Sequence, residues 1–206
     1  MGSKAAVVMF VEVNPREVFQ GDARIDHPKS KLLAEEILGT VAEEMEPLAL
    51  DLAVWPSAGI VCAASFPGLE VVCSRELAQS QPSHLTEAIS RLADGRDAYG
   101  VFMHSTEDWT AFAVWSGGEL VRAMSVSPDT GIIEEVGERL PFEAPFWGGE
   151  RPLRHVLNYA LPFHPLELGN EALKAFFGFI LEGREDASCF DPEEVEIPAF
   201  QAARQM

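Results

Sequence analysis

The chain is short of cysteine, short of cations and free of long apolar runs, and each shortage removes a class of protein. Its three cysteines, Cys62, Cys73 and Cys189, show no CxxC spacing, and an odd number cannot complete a disulfide framework. Cys62 and Cys73 fall in apolar, strand-like runs and read as buried thiols. Lys and Arg number 15 against 33 Asp and Glu, a formal net charge of -18. That balance repels duplex nucleic acid and anionic membrane surfaces, so neither is an expected partner. No apolar run approaches the roughly 20 residues of a membrane helix. Met1-Gly2-Ser3-Lys4 leads straight into a strand without a signal-peptide layout, and Ala6 breaks the myristoylation pattern. A reducing cytoplasm is the expected location.

Familiar catalytic signatures are missing too. There is no phosphate loop, no GxGxxG, no G-x-S-x-G elbow, no HExxH and no paired Cys/His spacing. No cofactor and no metal site is read from the spacing. What remains is an ordinary globular mix, 47% apolar and 23% charged, long enough to fill a real core.

The clearest local structure lies between Asp108 and Glu138. Trp109–Trp115 and Leu120–Val126 are β-branched and aromatic runs joined by Gly117-Gly118, a loop suited to the positive φ angles of a primed turn. A two-residue loop predicts Trp115 opposite Leu120, Ala113 opposite Arg122, Ala111 opposite Met124 and Trp109 opposite Val126. Arg122 then shares a face with Trp109, Trp115 and Met124. A guanidinium there needs a carboxylate, an aromatic face or a bound anion. It is a structural ion pair, an arginine snorkelling out at the sheet end, or an anion-recognising arginine in a pocket. Ser127-Pro128-Asp129-Thr130-Gly131 is a second strong turn, after which Ile132, Ile133 and Val136 restart a strand. With Ala98–Ser105 before them, these runs form an antiparallel meander.

Along the rest of the chain, Ala5–Val13 reads as a buried, central strand, and Asn14-Pro15 as the cap of a short helix. Pro28–Leu38 reads as a helix stopped by Gly39. The acidic stretch Thr40–Asp51 reads as a solvated segment leading to a weak strand near Leu48–Leu52. Ile60–Ser65 and Leu69–Ser74 form a hairpin around Phe66-Pro67-Gly68, and Pro82–Leu92 is a helix. The long connection from the hairpin to Ala98 favours a parallel crossover, hence a mixed sheet. Phe142, Phe146 and Trp147 stud the loop Leu140–Glu150. Asn170 is read as the cap of the longest helix, Glu171–Glu182, which is apolar nearly all round and so is either buried or a homodimer interface. Val195–Phe200 reads as a short final edge strand. The expected fold is a single α+β domain over residues 1–200, a mixed sheet with an antiparallel meander flanked by helices, with 201–206 a frayed tail.

Of five histidines (His27, His84, His104, His155 and His164), His104 is the most suggestive. It ends a strand and is followed by Ser105, Glu107 and Asp108. His104 and Asp108 can orient one another as an acid–base pair, with His164 as a second imidazole. Arg122, Trp109, Glu134 and Trp147 are candidate ligand-binding residues around them. Two His and a carboxylate are enough donors for a divalent metal, although the spacing does not require one. Trp109, Trp115 and Trp147 with Glu134 and Glu143 also suggest a sugar cleft. The plainer alternatives are turn chemistry at Ser105 and Asp108 and packing of His104 at the sheet end.

The motifs His104-Ser105 followed by Asp108-Trp109, Phe112-Ala113-Val114-Trp115, Ser127-Pro128-Asp129 with Gly131-Ile132-Ile133-Glu134, and Leu161-Pro162-Phe163-His164-Pro165-Leu166-Glu167-Leu168-Gly169 carry a resemblance. The chain resembles an uncharacterised bacterial domain-of-unknown-function family of about this length. The resemblance spans nearly the whole chain. It implies one domain and one fold, and brings no activity or catalytic residue with it. Two functional expectations follow. The first is a non-catalytic binding or assembly module with a protein partner. The second is a hydrolase-like or metal-assisted enzyme built on His104, Asp108, Arg122 and His164.

Overall fold

Residues 3–153, 160–183 and 186–203 are described by the computed structural model. Their strands form one nine-stranded sheet in the order β2-β9-β3-β4-β1-β5-β6-β7-β8. The apolar run at the start becomes its centre, β1 (Lys4–Val11). Then come β2 (Ala42–Ala49), β3 (Ile60–Phe66), β4 (Leu69–Cys73), β5 (Asp97–His104), β6 (Trp109–Ser116), β7 (Glu119–Ser127), β8 (Gly131–Val136) and β9 (Glu196–Ala202). The helices are α1 (Pro15–Gln20), α2 (His27–Leu38), α3 (Leu50–Ala53), α4 (Thr86–Ala93), α5 (Ala144–Trp147) and α6 (Pro165–Phe177).

Alternation along the strands divides the core in two, because successive side chains point to opposite faces. Val7 and Met9 of β1 pack with Leu168, Ala172, Leu173 and Phe177 of α6. Ala6, Val8 and Phe10 pack instead with Leu33 and Ala34 of α2 and Ile89 and Leu92 of α4. Each fully buried Phe or Leu contributes about 2 kcal/mol by leaving water. α6 lies close on the sheet because position 169 is glycine. A Cβ there would come within 2.8 Å of Met103 Sδ and Thr110 Oγ1.

The mixed sheet is a misreading. Every neighbouring pair is antiparallel. β4 and β5 do run in the same direction, as a long crossover requires, but β1 lies between them and pairs with both. A strand from elsewhere in the chain fills the gap, which no local pattern announces.

The hairpin register also needs correction. Gly117 and Gly118 take φ of 59° and 84°, and Trp115 does face Leu120. A bulge between Val114 and Trp115 then shifts the ladder, so Arg122 faces Val114, Ala123 faces Ala113 and Met124 faces Phe112. One inserted residue moves Arg122 off the face of Trp109 and Trp115 and onto that of Phe112 and Met124. Gly137 (φ 73°) packs against the bulge, where a Cβ would sit 2.0 Å from the Val121 carbonyl oxygen.

The longest helix starts six residues before the expected Glu171 and ends at Phe177, not at Glu182. His164 is its N-cap, Pro165 its first residue and Gly178 (φ 89°) its left-handed stop. Asn170 is inside the helix. Its Nδ2 donates to Leu166 O at 3.1 Å and its Oδ1 accepts from Leu181 N at 2.9 Å and Glu182 N at 3.3 Å. Those bonds fold the segment after Gly178 back along α6. Ala172, Leu173, Phe177 and Phe179, which suggested a homodimer interface, are buried in the chain's own core.

β9 is interior, between β2 and β3, and includes Gln201 and Ala202 of the expected tail. The edge on that side is β2, formed from the acidic stretch read as solvated, and β8 is the opposite edge. Exposed Glu43, Glu44 and Glu46, and Pro47 at a bulge, guard β2 against further pairing.

Candidate functional site

Three of the sequence-level candidates hold the fold together. Arg122 is 1% exposed and Glu143 0%. The guanidinium donates from Nε to Glu143 Oε1 (2.9 Å) and from Nη2 to Oε2 (2.5 Å), while Nη1 reaches the carbonyls of Val136 (2.9 Å) and Gly137 (3.1 Å). This is the structural ion pair, not an anion-recognising arginine. Glu134 accepts from both the backbone N (3.1 Å) and the hydroxyl of Ser83, tying β8 to the 3-10 turn Pro82–Leu85. Trp147 stacks edge-on against Phe163, with the Arg139 guanidinium 4.0 Å from its ring centre and its indole N–H buried without a hydrogen-bond partner. With Trp115 fully buried and Glu143 sealed, these residues form no sugar cleft.

Asp108 and His164 are brought together, with Nε2 3.9 Å from Oδ2. His164 Nδ1 accepts the Leu166 amide at 3.3 Å as the helix cap. That bond requires Nδ1 unprotonated and places the proton on Nε2, the nitrogen turned toward Asp108. The arrangement orients a cap. A base with an available lone pair is not what it presents. His164 lies on the wall of a cleft of about 660 Å³, where Arg151 pairs with Glu171 (3.2 Å) and Lys174 with Asp186 (2.5 Å). His155, the remaining histidine near this region in sequence, is outside the described residues. Among the described residues, no three His, Cys, Asp or Glu side chains are grouped to hold a metal ion.

His104 is on the other face of the sheet. Phe102, two residues before it, and Trp109, opposite it across β5 and β6, both belong to the α2/α4 side of the core. α6, which carries His164, packs on the opposite side. The sheet therefore separates His104 from the Asp108–His164 pair, and the four residues of the enzyme reading do not line one pocket.

A different group surrounds His104. Lys4 is its direct neighbour across β1 and β5. The Trp55 ring stands 5.5 Å from the imidazole, edge-on. Lys4 Nζ is 5.8 Å from the Trp55 ring centre and the Arg75 guanidinium 5.2 Å, both within cation–π range. Arg75 opens the 3-10 turn Arg75–Leu77, where the chain leaves β4. His104 Nδ1 is buried without a hydrogen-bond partner. Burial and the charges of Lys4 and Arg75 push the imidazole below its ordinary pKa, with Glu107 opposing them.

These cations are unusual for this chain. Among the described residues, every Lys and Arg except Lys4, Arg16, Arg24 and Arg75 lies within 4.0 Å of a carboxylate. Two of those four converge on one tryptophan, although acids outnumber bases 33 to 15. Sequence reading found His104 but missed Lys4, Trp55 and Arg75. They come from separate segments: the β1–β5 register brings Lys4 to His104, and backbone bonds of Ala6 to Val54 and Ser74 bring the Trp55 and Arg75 segments to β1.

Among the described residues, no helix is long and apolar enough to cross a membrane. No curated protein and no solved structure matches the chain. The model of a family of unknown function, DUF6928, matches residues 5–200, and the chain belongs to that family.

Proposed function

We propose that the protein is a non-catalytic binding module that takes an anionic group at the corner formed by Lys4, Trp55, Arg75 and His104. The observation that carries this reading is a pair of cations with no carboxylate within 4.0 Å in so acidic a chain, Arg75 acting on its neighbour Glu76 only at longer range. An anion supplies what they lack. Trp55 holds both in place through its ring, so little side-chain freedom is lost when the anion arrives. His104 Nδ1 adds a buried nitrogen that hydrogen-bonds an oxyanion when protonated. We place the module in the cytoplasm, which suits the free thiols of Cys62 and Cys73 facing each other across β3 and β4.

The test is titration with inorganic phosphate at constant ionic strength, followed by backbone amide shifts. Saturable shifts at residues 4, 55, 75 and 104 are expected, with Kd on the order of 1 mM, about 4 kcal/mol. Lys4→Ala and Arg75→Ala should each weaken binding about tenfold, the worth of one charge-assisted hydrogen bond. Shifts that never saturate, or an Arg75→Ala affinity equal to the parent's, would refute the reading.

A further inference from the structure

The cationic corner borders a groove of about 470 Å³. Three residues form the border. Trp109 lines the groove and is the cross-strand neighbour of His104. Glu107 lines it and acts electrostatically on His104. Ala78 lines it and donates its backbone N–H to the Arg75 carbonyl at 3.0 Å. The volume is that of a small-molecule site.

The groove's chemistry differs from the corner's. Its apolar lining is Trp109, fixed by a 3.1 Å bond from Nε1 to Ser125 Oγ, and Ile133. Its walls carry neutral hydrogen-bonding side chains, Gln79, Ser80 and Thr130, and two carboxylates, Glu107 and Asp129. Carboxylates accept from hydroxyl groups and repel a second anion. A ligand spanning both parts is thus anionic at one end and rich in hydroxyls at the other. It also has carbon–hydrogen surface to lay on an aromatic ring.

We propose that the ligand is a phosphorylated sugar, its phosphoryl group held by Lys4, Arg75 and His104 and its hydroxyl-bearing ring in the groove over Trp109. This rests on the anion-binding reading above and adds the ligand class to it. A phosphoryl group suits the corner because the Arg75 fork and the Lys4 ammonium recognise its several oxygens together. The two groove carboxylates exclude ligands with negative charge at both ends.

The experiment is calorimetric titration with three probes, inorganic phosphate, glucose and glucose 6-phosphate, at constant ionic strength. The proteins are the parent chain, Asp129→Asn, Glu107→Gln and Arg75→Gln. Asp129, Glu107 and Arg75 are solvent-exposed, so the folded state tolerates these changes. Glucose 6-phosphate should bind the parent about tenfold tighter than phosphate, a gap of two or so hydroxyl hydrogen bonds, and glucose alone should give no saturable heat. Asp129→Asn should remove most of that advantage while leaving phosphate affinity unchanged or slightly improved, and Glu107→Gln should remove it too, with phosphate slightly weakened because Glu107 favours the protonated His104. Arg75→Gln should weaken phosphate and sugar phosphate alike. Equal affinity for phosphate and glucose 6-phosphate would overturn the ligand class and leave the anion site standing. A tighter sugar phosphate indifferent to both carboxylate variants would overturn the groove. Absence of phosphate binding in the parent would remove the anion reading itself.

Discussion

The buried Arg122–Glu143 pair gives the sharpest energetic prediction. Glu143→Gln keeps the side-chain shape but turns one carboxylate oxygen into an amide. Glu143 receives three hydrogen bonds, from Arg122 Nε and Nη2 and from the Leu140 amide at 2.7 Å. The glutamine oxygen at the Oε1 position can keep the Leu140 and Arg122 Nε bonds, but its NH₂ then meets Arg122 Nη2 donor against donor. The guanidinium then stays charged and 1% exposed, with no anion in contact and only Glu135 at 3.8 Å as a distant partner. Breaking one side of such a pair costs about 3–5 kcal/mol. At about 2–4 °C per kcal/mol for a domain of this size, the melting temperature should fall by roughly 6–20 °C. The assay is urea and thermal unfolding by circular dichroism in a double-mutant cycle with Arg122→Met and Glu143→Leu. The double variant should recover at least half of the loss of either single variant, because it removes both desolvated charges while refilling the space. A Glu143→Gln loss below about 1 kcal/mol, or a double variant no better than the singles, would refute the argument that burial makes each partner dependent on the other.

Other positions give independent checks. Gly169→Ala drives a methyl group to 2.8 Å from Met103 and Thr110 and should cost about 1–3 kcal/mol in chemical unfolding; a neutral effect would mean that α6 is free to lift from the sheet. Asn170→Ala strips the acceptor from two backbone amides and should lose about 1–3 kcal/mol, with faster amide exchange at Leu181 and Glu182 as the signature. Burial pushes the Cys62 thiol up to about 12 and raises Cys73 well above its ordinary value, so a thiol reagent should label at most Cys189 in the native protein and all three cysteines in urea. His104 faces Lys4 from β1, Arg75 from the turn after β4 and Glu107 from its own hairpin, with Trp55 against its ring. Its folded pKa lies below the unfolded one, so its contribution to stability is present above the unfolded pKa and declines as pH falls through the window between the two. His104→Gln should flatten that part of the stability profile, and saturating phosphate should raise the imidazole pKa read by NMR in the parent protein; an unmoved value would exclude His104 from the anion site.

Local residue chemistry accounts for much of the fold. Asn14-Pro15 starts α1, Gly39 stops α2, Gly117-Gly118 turns the β6–β7 hairpin, and Pro128 to Gly131 turn β7 into β8. Such features are legible because each depends on φ preferences or a cap within a few residues. Asn170 shows the limit of that reasoning. It has the chemistry of a cap, and helices do begin at such residues, but here its amide serves the backbone of 181–182 from inside α6. His164 and Pro165 were an equally good start, and packing of Leu166, Leu168 and Ala172 on the sheet decided between them. The bulge before Arg122 is a similar case, since a single extra residue leaves the alternation readable on both sides and only changes which face it describes.

Legible in the sequence were the turns, most strand and helix positions, the buried character of Cys62 and Cys73, and His104 as a residue of interest. They are legible because propensity, capping and hydrophobic alternation act over a few neighbours. Tertiary structure alone decided that β1 enters between β4 and β5, that β9 is interior, and that Arg122 closes on Glu143. It also decided that His104 stands with Lys4, Trp55 and Arg75 while His164 stands with Asp108. Those outcomes depend on which distant segments share a ladder or a face. Strand pairing over long separations is settled by the burial of two whole faces at once, not by any stretch of chain read alone.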